Sequence, residues 1–217
     1  MAWHYVDTDR AGWTSVHSAE QTDNAAEIWL TLVDSNGWTE EAAAAVLGNM
    51  QHESYLNPCQ WEIGYNYSMT RGFGLGQWTP ATKISDYVGS TNHNVMADGA
   101  MQMNYLISTP SQYTLDYLNP DGTSNYYNES GLAYITSMED FSHSTASIEE
   151  LTKIWAICWE KPGSGYYASS IQDRIDDANY WYTTFHGSPP TPPPTPPEPT
   201  ILDDLLRLAM FMSKMIR

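Results

Sequence analysis

A chain of 217 residues can bury one core of ordinary size and carry a short appendage. Its 26 acidic and 9 basic residues leave a net charge of −17 at pH 7, which repels phosphate backbones and anionic membrane surfaces and so argues against a nucleic-acid partner. The part after Ser188 holds three residues of each sign (Glu198, Asp203 and Asp204 against Arg207, Lys214 and Arg217), so all of that charge belongs to residues 1–188.

The opening MAWHYVDTDRAGWTSVHS has neither a basic start nor an apolar stretch, so no signal peptide is expected. No run reaches the ~18 to 20 apolar residues of a membrane span. A helix is predicted over 22–35, where Thr22 or Asp23 can cap it and Ala25, Ile28, Trp29, Leu32 and Val33 recur at helical spacing; Asn36-Gly37 stops it. A second helix opens at Thr39 with Glu40 and Glu41 at the positive end of its dipole. It runs through Val46, Leu47 and Met50 to about Glu53 and is closed off by Asn57-Pro58. Cys59 and Cys158 are too few for a disulfide scaffold. They could form one bridge, but two buried thiols is the simpler expectation.

From Tyr65 to Thr79 the pattern changes. Gly72, Gly74 and Gly76 alternate with Phe73, Leu75 and Gln77, which predicts a short strand pair with one bare face. Helical patterns return at about 81–88, 95–107, 147–160 and 168–185. The third begins with Ser147 and Glu150 in capping-box spacing and ends before Pro162; the last carries Ile171, Ile175, Ala178, Tyr182 and Phe185. SPPTPPPTPPEPT has nothing to pack and reads as an extended spacer. The expected architecture is α+β: a mostly helical domain over 1–187 with one small β-hairpin, a Pro-rich linker over 188–200 and an amphipathic C-terminal helix over 201–217. With no basic cluster on that last segment, docking onto a partner protein is preferred to lying on a membrane surface.

Glu53 is the first residue that could carry chemistry. It follows Val46 by seven positions and Met50 by three, at the C-terminal end of its helix, where desolvation and the helix dipole both disfavour a charged carboxylate. A carboxyl kept protonated is what a general acid for glycosidic cleavage needs, although periodicity alone makes a solvated helix-end glutamate the commoner outcome. The bare face of the glycine segment would let a ligand approach at Gly74 and Gly76 and leave Gln77 as a half-buried amide in need of partners; a tight hairpin would explain the same glycines. Gln77 stands where a dinucleotide loop needs its last glycine, and Leu56 stands where a zinc-protease H-E-x-x-H motif needs its second histidine. No metal or cofactor is expected. Aromatic residues beside the β element, Trp61, Tyr65, Tyr67 and Trp78 together with Tyr126 and Tyr127, are the ones best placed to stack on sugar faces.

The series NAAEIWLTL, WTEEAAAAVLGNMQHESYLNP and RGFGLGQWTPATK resembles the phage tail-tip lysozyme family, which is similar in fold to goose-type lysozymes and lytic transglycosylases. The resemblance spans most of residues 20–185 and is tightest over 38–83. It implies that Glu53 corresponds to the catalytic glutamate of the ES motif and Gln77 to the glutamine lining the sugar cleft, with Trp78 and Thr79 completing QWT. CWEKPG, from Cys158 to Gly163, resembles a later family element in which Glu160 is read as structural. The implied activity is cleavage of the β-1,4 bond between N-acetylmuramic acid and N-acetylglucosamine in bacterial peptidoglycan. The implied place is the virion's tail tip, with the C-terminal segment docking onto other tail proteins. Trp61 and Tyr65 join Gln77, Trp78, Thr79, Gly74 and Gly76 as substrate-binding positions. Glu62, between the two motifs, is the tentative base, because glycosidases usually flank the bond with two carboxyl groups. In related folds a single glutamate suffices, which leaves hydrolase and lytic transglycosylase both open. A non-catalytic wall-binding or structural tail protein, and a muropeptide endopeptidase, are the rivals from other classes.

Overall fold

The computed structural model describes residues 3–9 and 17–187; the Pro-rich linker and the C-terminal helix expected over 188–217 lie outside the described residues. Eight α-helices occur among them: α1 Ala19–Trp29, α2 Glu40–Ser54, α3 Thr82–Val88, α4 His93–Met96, α5 Gly99–Ser108, α6 Met138–Ser142, α7 Ile148–Trp155 and α8 Ser164–Phe185. π-helical turns extend α1 over Leu30–Ser35 and α7 over Ala156–Glu160. None of the described helices is long and apolar enough to cross a membrane.

The domain is built around α2. From Ala42 to Leu47 every side chain is fully buried, so this helix is apolar all round and forms the centre of the core rather than its edge. Thr39 caps it as expected, with its Oγ1 accepting from Ala42 N at 3.3 Å. Its far end turns sharply through Tyr55 and Leu56, both in the left-handed region. α8 is its most extensive neighbour, and α1, α6 and α7 complete the surround. The closest approach falls at Gly48, where a Cβ atom would sit 2.3 Å from the Arg174 carbonyl oxygen and 2.7 Å from Ala178 Cβ.

Several boundaries move from their sequence expectations. α1 starts earlier because Ser18, not Thr22 or Asp23, caps it, in a reciprocal capping box with Gln21. The pattern over 95–107 divides because the Asp98 carboxylate caps a fresh helix, accepting from Met101 N at 3.1 Å. The Ser147 cap forms, but Glu150 completes no box; its carboxylate instead accepts from Ala133 N.

The β-hairpin is a correction. Among the described residues the glycine segment forms only isolated antiparallel bridges, Trp61 with Phe73 and Phe73 with Trp78. Gly74 at φ +81° and Gln77 at φ +44° take the backbone out of the extended region, and Gln77 N donates to Gly74 O at 3.1 Å to close a tight turn. The alternating glycines serve close packing, not a pleat: a Cβ on Gly74 would meet Gln102 Oε1 at 2.5 Å, and one on Gly76 the Trp78 ring at 3.2 Å. Cys59 and Cys158 are free and fully buried, and burial pushes their thiols up to about 12 and about 11.

Because the atoms facing Gly48 include backbone, Gly48→Ala should force α2 and α8 apart and cost about 1–3 kcal/mol. Urea denaturation measures this, and an unchanged midpoint would mean that the contact has slack.

Candidate active site

A cleft of about 810 Å³ opens at the C-terminal end of α2. Glu53 and His52 line it from that helix, Gly76, Gln77, Trp78 and Thr79 from the glycine turn, and Trp159 and Glu160 from the π-helical turn after α7. Trp61, Glu62 and Gly72 also line it. The two segments that stand apart in the sequence are tied together by the serine of the ES pair. Ser54 Oγ donates to Leu75 O at 2.9 Å, so the turn is fastened to the residue next to Glu53. Gln102 on α5 holds the same turn from behind: its Oε1 accepts from Leu75 N at 2.9 Å, and its Nε2 donates to Pro58 O and Met96 O at 2.7 Å each.

Beneath Glu53 lies Arg174 of α8, which is wholly buried. Its Nη2 donates to Glu53 Oε1, its Nη1 to Asn49 Oδ1 at 2.9 Å, and its Nε to Ser170 Oγ at 3.3 Å. Asn49 in turn donates to Ala45 O at 2.9 Å and Thr152 O at 3.2 Å, which joins α7 to the same network. The carboxyl of Glu53 is 15% exposed, open enough to meet a ligand yet set against a cation. A cationic neighbour is absent from the sequence-based account of Glu53, which counted only burial and the helix dipole.

Glu160 is the second carboxyl here. The π-helical turn makes its position possible. In an α-helix only residues three and four apart face each other, whereas here Trp155 Nε1 donates to Glu160 Oε1 at 3.2 Å across five positions. Burial, and then the nearby charge of Glu53, push its carboxyl up to about 8 against the opposing pull of Arg174 and the Trp155 hydrogen bond. His52 is held below its ordinary value by burial and by Arg174.

The remaining expected positions separate into two groups. Gln77 lines the cleft, but its Nε2 donates to Gln60 O and Gly74 O at 3.1 Å each, so only Oε1 is left for a ligand. Trp61 and Trp78 line the cleft but are nearly buried: Trp61 Nε1 donates to Asp7 Oδ1 at 3.0 Å, whereas Trp78 Nε1 has no acceptor among the described residues. Glu62 is half-buried, its Oε2 accepting from Gly72 N at 2.9 Å and its Oε1 lying 3.6 Å from Arg71 Nη1. Tyr65 and Gly74 stand outside the lining. Tyr65 stacks under Arg71 with the guanidinium 4.1 Å from its ring centre, and Gly74 packs on Gln102. Tyr126 and Tyr127 are likewise elsewhere, packed on each other with Tyr117.

With this geometry in place, the comparisons with known proteins are decisive for kinship. The family described as phage tail lysozyme matches residues 23–185. The chain belongs to the phage tail lysozyme family. It is also 32% identical over 168 residues to "Morphogenesis protein 1" of Bacillus phage B103, an alignment that takes in 77% of this chain and 40% of that protein. The chain therefore spans well under half the length of this relative. The family assignment agrees with the resemblance carried by GNMQHES and GFGLGQWT, and it places both motifs inside the matched region.

Sequence reasoning missed Arg174, Asn49 and Gln102 and set Glu160 aside. One signal was available for Arg174: it falls three residues after Ile171 and four before Ala178, on the apolar stripe of its helix, in a region with very few bases.

Two outcomes follow. Arg174→Leu leaves Glu53 and Asn49 facing a void without their donor and should cost about 3–5 kcal/mol in urea denaturation; a cost near zero would show that the guanidinium is dispensable. Glu160 holds its proton in the fold to about 8 but releases it near 4.5 when unfolded, so the folded state binds more protons between those values. Wild-type stability should accordingly decline as pH rises through that window, by no more than about 1.4 kcal/mol per unit from this group. Stability curves of Glu160→Gln against wild type should differ in slope there, and parallel curves would remove the assignment.

Proposed function

We propose that this chain is a peptidoglycan glycosidase, an N-acetylmuramidase that cuts the β-1,4 bond between N-acetylmuramic acid and N-acetylglucosamine. The observation that carries this is Glu53 itself: an acid at the mouth of an open cleft, anchored by Arg174 and joined through Ser54 to a turn whose amide and indole groups line the same space. In this account Glu53 gives its proton to the glycosidic oxygen as the bond to the sugar's anomeric carbon breaks. Gln77 Oε1 accepts from a sugar hydroxyl or amide, while Trp78 and Thr79 shape the floor. Glu62 is the base that activates water from the other flank.

A second reading is favoured by one observation. Glu62 is already engaged by Gly72 N–H and Arg71, a hold that suits a loop-shaping role. The sugar's own hydroxyl would then attack, and the enzyme would be a lytic transglycosylase on the same bond.

We place the protein in the virion, at the tail tip, where it opens the wall locally during entry. A net charge of −17 supports delivery by a particle, because many wall polymers are themselves anionic and would not draw such a domain from solution. The segment over 201–217 is assigned to docking on other tail proteins.

Clearing of purified peptidoglycan by wild type, Glu53→Gln and Glu62→Gln tests these roles. Glu53→Gln should lose about 10²–10⁴-fold; clearing at the wild-type rate would remove it from the chemistry. For Glu62→Gln, a loss of similar size supports a base, whereas retained activity with anhydro-muramic ends in the mass spectrum supports the transglycosylase. Cut peptides with intact glycan, or no clearing of any wall chemotype, would overturn the glycosidase itself.

A further inference from the structure

Resting on the glycosidase function with Glu53 as its acid, a second carboxyl enters the chemistry. We propose that Glu160 is a positioning residue that shares one proton with Glu53, so that the pair keeps an acid available at the cleft at neutral pH.

Glu53 and Glu160 both line the cleft, Glu160 feels the charge of Glu53, and Arg174 of α8 is the one fully buried cation among the described residues. One guanidinium can offset one carboxylate; a second negative charge on these largely buried groups is disfavoured, so the two carboxyls retain one proton between them. Arg174 donates to Glu53, and the donor to Glu160 is the neutral Trp155 indole, so no second cation balances Glu160. The other titratable groups do not change this count. From α2 comes His52, whose imidazole burial and Arg174 hold below its ordinary value; from α8 comes Tyr166, whose phenol burial pushes up. Tyr55, Glu62 and Lys83 complete the titratable lining, and Lys161, next to Glu160 in sequence, is engaged by Thr114 and Asp116. Burial raises the proton affinity of Glu160 in the same direction.

The step balances simply. When the shared proton sits on Glu53 and passes to the leaving oxygen, both carboxyls are left ionised beside Arg174 and the positive charge developing at the anomeric carbon, and the water or sugar hydroxyl that attacks that carbon returns a proton to the pair. Without Glu160 there is no like charge to keep the proton on Glu53 against the pull of Arg174.

The test is the pH profile of wall clearing for wild type, Glu160→Gln, Glu160→Asp and Glu53→Gln, with circular dichroism confirming the fold of each. In Glu160→Gln the alkaline limb should move at least one pH unit toward acid, with activity recovering at low pH, and Glu160→Asp should restore much of the wild-type limb. An inactive Glu53→Gln beside a Glu160→Gln whose alkaline limb has not moved, whatever its rate, would overturn the shared proton and leave the glycosidase standing. Activity surviving in Glu53→Gln would instead overturn the function on which this rests. If Glu160→Gln does not fold, Glu160→Met takes its place with the same reading: an alkaline limb moved toward acid supports the shared proton, and an unmoved limb overturns it.

Discussion

The buried guanidinium of Arg174 is the constraint around which the rest of the domain is arranged. Removing an arginine from water costs several kcal/mol unless its donors are met, and here Asn49, Ser170 and Glu53 meet them from two helices. That arrangement requires α2 and α8 to approach closely, which Gly48 permits by offering no side chain where the Arg174 carbonyl and Ala178 press in. Small residues along α2, Ala42 through Ala45, let the same helix be enclosed on its other sides. Core packing and the electrostatics of the cleft are therefore one problem solved at one helix pair.

The same helix end explains why the two sequence motifs belong together. Glu53 reaches into the cleft while Ser54 turns back to hold Leu75 O, and Gln102 holds the amide of that same residue. The glycine turn has only isolated backbone bridges to support it, and these side-chain bonds add to them. Each half of the site thus depends on the other: the turn is shaped by groups that α2 and α5 supply, and the wall beside Glu53 is the turn itself. Rigid support from helices rather than from a loop's own hydrogen bonds is what a positioned catalytic group needs.

The helices were legible because each carries a 3.6-residue apolar stripe with a capping residue at its start, as Thr39 and Ser147 show. The cleft was legible at Glu53 and at Gln77 to Thr79, where motif spacing added to periodicity. The hairpin was misjudged because alternation of glycine with apolar residues has two physical causes, a pleat or a series of close contacts, and the second applies here. Tyr65 and Gly74 were drawn into the site by proximity in sequence, but one is engaged by Arg71 and the other by Gln102. Glu160 lay beyond reach for a different reason: its place depends on a π-helical turn, and one residue of register decides which face a side chain joins. No composition or spacing rule signals that change at CWEKPG.

The strong acidity of the domain acquires a second consequence once the cleft is considered as part of the whole. A net charge of −17 produces a negative potential that works against approach to an anionic wall, and the same potential favours the neutral form of any carboxyl within it. Under the proposed function, the charge that makes free diffusion to the wall unfavourable would therefore assist an acid that must keep its proton. These two effects differ in range: salt screens the long-range repulsion within about 10 Å at 0.1 M, whereas the ion pair of Glu53 with Arg174 and the charge that Glu53 exerts on Glu160 act through protein and are screened far less. A domain presented to the wall at close quarters escapes most of the first effect and keeps the second, so its charge is a cost only for an enzyme that has to find the wall by itself.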